Sequence, residues 1–134
     1  MRIALDSSVL IAANISRAGV CAELLEDLLL HHELVISEFI LEELHRKLVE
    51  KFDCPKREAD RLAAFLRRVA IVVVPTALPP NICRDPADIP VLGTAVGGDC
   101  AMLISVDRDL LDMRSFDGIS IIRPGEYWRR TRDY

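Results

Sequence analysis

Apolar residues along the chain alternate between short, almost unbroken runs and longer stripes spaced three and four apart. The runs are Ile3-Ala4-Leu5, Leu34-Val35-Ile36, Ile71-Val72-Val73-Val74, Ala101-Met102-Leu103-Ile104 and Ile119-Ser120-Ile121-Ile122. Each has the length and continuity of a strand covered on both faces, so about five buried strands are predicted. The stripes predict helices between them. Val9 to Ala13 continues apolar after Asp6-Ser7-Ser8, and Val20, Leu24, Leu25, Leu28 and Leu29 mark a second helix after Ala18-Gly19. Ser37 is placed to cap a third, whose inward face is Ile40, Leu41, Leu44, Leu48 and Phe52. Beyond Cys54-Pro55 a fourth runs from Lys56 to Arg68, with Leu62, Phe65, Leu66 and Val69 inward.

The later chain repeats the scheme. Pro79-Pro80-Asn81 is a loop and Asp85-Pro86-Ala87-Asp88 a turn, after which Asp88 is expected to cap a helix ending at Gly97-Gly98. A short helix is expected from Leu110, a turn at Phe116-Asp117-Gly118, and a tail helix from Pro124 to Trp128. Strands alternating with helices need crossover connections, which implies a parallel sheet with helices on both faces, a three-layer α/β sandwich in one domain over residues 1–134. Right-handed crossovers place every strand's carboxyl end on one edge.

That edge collects acid. Asp6 closes the first strand, Asp107 and Asp109 follow the fourth, and helices starting there offer Glu42 or Glu43 and Asp85 or Asp88. Taken singly, Asp6, Asp85 and Asp109 read equally well as cap or turn residues. Glu42 and Glu43 flank the buried stripe of their helix on opposite sides, and periodicity does not choose between them. Taken together, they are costly neighbours, since two unit charges about 4 Å apart repel by roughly 4 kcal/mol at an effective dielectric near 20. Arg84 and Arg108 are the nearby cations in sequence. A divalent ion with hard oxygen ligands, Mg²⁺ or Mn²⁺, offsets the repulsion and suits phosphodiester hydrolysis.

Composition bounds the alternatives. The 134 residues carry a net charge of −4, with 51% hydrophobic, enough to bury a core without staples. Cys21, Cys54, Cys83 and Cys100 are widely separated, with no His at metal spacing, which argues against zinc and for thiols in a reducing cytoplasm. His31, His32 and His45 fall away from the acidic edge and read as surface or packing residues. With neither a leader sequence nor a run of about 20 apolar residues, a cytoplasmic, non-membrane protein is expected.

The motifs D-S-S-V-L-I at Asp6, S-E-F-I-L-E-E-L at Ser37, D-P-A-D-I-P-V-L-G-T-A at Asp85 and S-V-D-R-D-L-L at Ser105 resemble, in order and spacing, the PIN-domain ribonucleases. The likeness is to the small single-domain toxins of prokaryotic toxin–antitoxin pairs and covers essentially the whole chain. It implies metal ligands at Asp6, Glu43, Asp88 and Asp107, with Asp109 close by, and ligand-orienting hydroxyls at Ser8 and Ser105. It also implies cleavage of single-stranded RNA by a metal-activated water, an antitoxin partner and a homodimer. Ser8 stands where Asn is frequent in the family, and Ile89-Pro90 where a polar residue is frequent; neither departure removes a carboxylate.

Arginines and lysines on the two middle helices, among them Arg46, Lys47, Arg57 and Arg61, and Arg129, Arg130 and Arg132 on the tail are candidates for phosphate contact. Aromatic residues make up only 5%, so base stacking is not a visible mode. Two other readings are open: an RNA-processing nuclease outside a toxin–antitoxin pair, and a Mg²⁺-binding phosphoacceptor signalling domain. The latter calls for paired acids after the first strand and a lysine after a late one, whereas this chain has one acid there and no lysine after Lys56.

Overall fold

The computed structural model describes residues 1–132. Its frame is a six-stranded sheet in the order β3-β2-β1-β4-β6-β5. The central strands are β1 (Arg2–Leu5), β2 (Glu33–Ile36), β4 (Met102–Ile104) and β6 (Ile119–Ile122). All four run parallel to their neighbours in this set. Ile3, Ala4 and Leu5 have no exposed surface although successive strand residues point to opposite faces, so helices cover the sheet on both sides. This is the three-layer α/β arrangement that the apolar runs predict.

The helices are α1 (Ser7–Ile15), α2 (Val20–His31), α3 (Glu38–Lys51), α4 (Lys56–Val69), α5 (Ile89–Gly97), α6 (Arg108–Leu111) and α7 (Tyr127–Thr131). Starts follow local chemistry. Ser37 caps α3 by accepting from the Ile40 amide, and Pro90 sits in the first turn of α5, where no amide partner is needed. Ile40, Leu41, Leu44 and Leu48 of α3 are buried at the expected spacing.

Four expectations are corrected. The sheet gains a sixth strand, β5 (Ser115–Phe116), antiparallel to β6. Asp117 and Gly118, at φ 52° and 79°, form the two-residue turn between them, a conformation that favours Gly and tolerates Asp. The third run yields only β3 (Ile71–Val72), because this edge strand has one neighbour and the chain leaves the sheet after Val73. Its next anchor is α5, where the Thr76 amide donates to the Gly93 carbonyl at 2.9 Å. Gly93 makes the approach possible, since a Cβ there would lie 2.4 Å from the Thr76 oxygen.

Phe52, Phe65 and Val69, expected inward, are exposed: Phe52 lies beyond the last turn of α3, and α4 buries the narrower stripe Ala59, Ala63 and Leu66. The tail opens as a 3₁₀ turn at Pro124–Glu126 before α7, where buried Tyr127 donates its hydroxyl to Asp27 at 2.7 Å.

Connections from β1 lead toward β2 on one side, while β4 leads toward β6 on the other. The adjacent ends of β1 and β4 therefore form the crevice where open α/β sheets bind ligands.

Candidate metal centre

Asp6 follows β1 directly, and its amide still pairs with the Ile104 carbonyl of β4 at 3.3 Å. Its carboxylate caps α1 through the Val9 amide at 3.2 Å and accepts hydrogen bonds from the Ser8 and Ser105 hydroxyls. Capping α1 and standing at the crevice are thus compatible in one side chain. Asp6 is buried, and burial pushes its pKa up; the Ser105, Ser8 and Val9 donors pull it down, while the Asp107 charge adds to the rise.

Glu43 reaches this corner from α3. Ser7 in the first turn of α1 donates to Glu43 Oε1, and Lys47 Nζ lies 3.5 Å from the same oxygen and 3.5 Å from Ser7 Oγ. Glu42 turns the other way, into a cleft shared with His45, Asp60 and Arg67 between α3 and α4. The two glutamates, which periodicity leaves equivalent, thus have different surroundings: Glu43 meets α1, and Glu42 faces α4.

Asp88 departs from its expected role. It ends a 3₁₀ turn at Pro86–Asp88 with helical backbone angles and caps nothing with its side chain; Asp85 caps that turn instead, through the Ala87 amide at 3.0 Å. The Asp88 side chain is buried, and its Oδ2 has no hydrogen-bond partner. Its pKa is pushed up to about 7, by burial first, then by the charges of Asp107 and Asp85, by a side-chain hydrogen bond with Asp107 and by the charge of Asp109. Asp107 caps α6 through the Asp109 amide at 2.9 Å, and its own amide donates to Ser105 Oγ at 2.9 Å. Ser105 thereby ties Asp107 to Asp6. Asp109 is therefore not the cap of α6, and one oxygen each from Asp85, Asp88 and Asp109 lies within 4.8 Å of the others.

These carboxylates are only partly neutralised. Arg84 Nε stands 3.3 Å from Asp109, with its Nη2 2.7 Å from Asp112, and Lys47 holds Glu43. Among the described residues no Lys or Arg pairs with Asp6, Asp88 or Asp107. A buried carboxylate oxygen without a partner, set among other hard oxygen donors, fits a divalent cation of the Mg²⁺ or Mn²⁺ type. His45 pairs with Asp60 at 2.6 Å, and His31 lies 3.3 Å from Asp27, so neither is drawn into this cluster.

Sequence reading did not identify Ser7 and Lys47 as the groups that fix Glu43. The pairing of Lys47 with Glu43 was available as an i,i+4 relation on one helix; the Ser7 contact spans 36 positions and had no local signal.

The PIN-domain family model matches residues 2–109, and the chain belongs to that family. Among solved structures it is similar to VapBC2 from Rickettsia felis bound to a DNA fragment from their promoter, at 12% identity and TM-score 0.67, over 92% of this chain and 98% of that one. It is likewise similar to VapBC-1 from nontypeable Haemophilus influenzae, at 17% identity and TM-score 0.63, over 93% and 99%. At these identities the likeness is one of fold. No curated protein sequence matches the chain.

Proposed function

We propose that this chain is a ribonuclease dependent on Mg²⁺ or Mn²⁺, and that it acts as the toxin of a toxin–antitoxin pair. The observation that carries the reading is Asp88 Oδ2, a buried carboxylate oxygen with no partner, facing other acids at the sheet's crevice. Membership of the PIN-domain family supports nuclease chemistry and sets aside the phosphoacceptor signalling reading. The shared fold with two VapBC assemblies supports an antitoxin partner.

In this reading Asp6, Glu43, Asp88 and Asp107 would hold the cation, with Asp109 beside them. A bound divalent ion supplies a water nucleophile at neutral pH and charge stabilisation for in-line displacement at phosphorus. The protein's part is placement. Ser8 and Ser105 orient the two oxygens of Asp6, Ser7 and Lys47 fix Glu43, and Ser105 carries the same constraint to Asp107. The raised pKa of Asp88 means that without a cation it would take up a proton near neutral pH, relieving repulsion among the acids.

The substrate is single-stranded RNA, the partner an antitoxin protein, the assembly a homodimer and the compartment the cytoplasm. No single helix among the described residues is long and apolar enough to cross a membrane. The test is cleavage of a labelled single-stranded RNA in Mn²⁺ and in EDTA by wild type and Asp88→Asn. Cutting that needs Mn²⁺ and is lost in the variant supports the reading; metal-independent cutting, or none, overturns it.

A further inference from the structure

A polyanion approaching a cluster of carboxylates needs fixed positive charge beside it, and a group of three arginines lies on the β6 side of the crevice. A cleft of about 500 Å³ there is lined by Arg114, Arg123 and Arg130 together with Leu111, Asp112 and Glu126. The cleft adjoins the acidic edge directly. Arg123 follows β6 immediately, one residue beyond Ile122, whose carbonyl accepts from the amide of Ser105, the residue that binds Asp6. Leu111 and Asp112 end the helix that starts at Asp107, so the wall between cleft and cluster is one turn of α6, on the order of 6 Å long.

The balance of charge in this cleft is positive. Asp112 is engaged by Arg84, whose guanidinium also reaches Asp109, leaving three arginines facing Glu126. Arg130 donates to Ser120 Oγ at 2.8 Å, which aims its guanidinium across β6; Arg114 and Arg123 pair with no carboxylate among the described residues. The Ile121 amide donates to the Arg114 carbonyl at 2.9 Å, holding this residue at φ 63° on the rim. A guanidinium fork matches a phosphate better than an ammonium does. The arginines of α4 are placed less well, on a helix that packs against α3 and leads into β3, the edge strand three places from β4, and Arg67 there pairs with Glu38.

We infer that Arg114, Arg123 and Arg130 form a phosphate-binding subsite that holds the RNA backbone next to the acidic cluster. This rests on the ribonuclease reading and adds where the strand lies. Seated there, the RNA enters past α6, and binding is separable from the chemistry at the carboxylates.

The test uses a fluorescein-labelled 12-nucleotide single-stranded RNA in EDTA, with anisotropy read at several salt concentrations for the folded wild type and for the double variant Arg114→Gln, Arg123→Gln. The double variant is expected to bind at least tenfold more weakly, with a salt slope shallower by about 1.4, since each single-strand phosphate contact contributes about 0.7. Arg57→Gln, Arg61→Gln on α4 should change affinity less than twofold, and Arg123→Lys should restore part of what Arg123→Gln loses. In Mn²⁺ the double variant should raise KM and leave kcat within threefold. RNA affinity unchanged in the cleft variant, or lost more in the α4 variant, overturns the subsite and leaves the cleft to a protein partner. Wild type that cuts with Mn²⁺ alongside a cleft variant of unaltered KM removes the subsite and keeps the nuclease. Wild type that neither binds nor cuts RNA removes both.

Discussion

Ser105 donates its hydroxyl to Asp6 across 99 positions of sequence, and the same oxygen accepts from the Asp107 amide. One small side chain thus couples the end of β1 to the end of β4, the two strands that flank the crevice. Replacing Ser105 by Ala removes a hydrogen bond to a buried carboxylate and orphans an amide, a change expected to cost about 1–3 kcal/mol. Chemical denaturation of the metal-free protein checks this. The same variant should bind Mn²⁺ more weakly, because Asp6 loses the donor that orients it.

The raised pKa of Asp88 sets a pH dependence. Its folded value of about 7 lies above the ordinary 3.8, so the folded state holds this proton more tightly than the unfolded chain does. Its contribution to stability is fully present below about pH 3.8 and is lost as pH rises through about 7. Metal-free protein should therefore show a thermal midpoint that falls across this window. Asp88→Asn should flatten that part of the curve and raise the midpoint at pH 8. A wild type whose midpoint is level from pH 5 to 8 would contradict the arrangement.

Glu43 and Glu42 are neighbours with opposite fates, one against Ser7 and Lys47, the other facing His45 and Asp60. Glu43→Gln should reduce Mn²⁺-dependent cleavage by at least 100-fold, taking one lost ligand or its orientation as the cause. Glu42→Gln should leave rate and metal affinity within twofold. Parallel cleavage assays of the two variants decide it.

Gly93 lets the chain between β3 and Asp85 pass over α5. Gly93→Ala places a methyl 2.4 Å from the Thr76 carbonyl oxygen, backbone that cannot swing aside as a side-chain end would. A loss of about 1–3 kcal/mol is expected from this overpacking, measured by denaturant unfolding.

Much of this architecture is legible before any coordinates. β1, β2, β4 and β6 are covered on both faces over most of their length, and such strands are apolar at nearly every position, which makes them short, almost unbroken runs. β3 misled for the complementary reason. Val73 and Val74 have the β-branched character of strand, but pairing stops where the neighbouring strand ends, and composition carries no record of that. β5 is two residues with no pattern of its own; its one signal was the Asp117-Gly118 dipeptide, a hairpin marker rather than a generic turn.

The acids at strand ends could be read from order alone, since parallel topology puts Asp6 and Asp107 on one edge. What order could not give was surroundings. Glu43 meets α1 where Glu42 faces α4, and Asp88 ends a 3₁₀ turn whose cap is Asp85. Arg114 and Arg123 stayed invisible because they converge only once β5 and β6 close their hairpin.

Asp88 and the acids around it are proposed to hold a divalent cation. Calorimetric titration of Mn²⁺ into wild type and Asp88→Asn tests this most directly, with melting temperature followed alongside. Wild type should bind Mn²⁺ saturably, Asp88→Asn should bind at least tenfold more weakly or not at all, and wild type should gain about 2.7 kcal/mol of stability when free Mn²⁺ is 100 times its Kd. No heat of binding and no change in melting temperature at millimolar Mn²⁺, or equal binding by both proteins, would contradict the proposal.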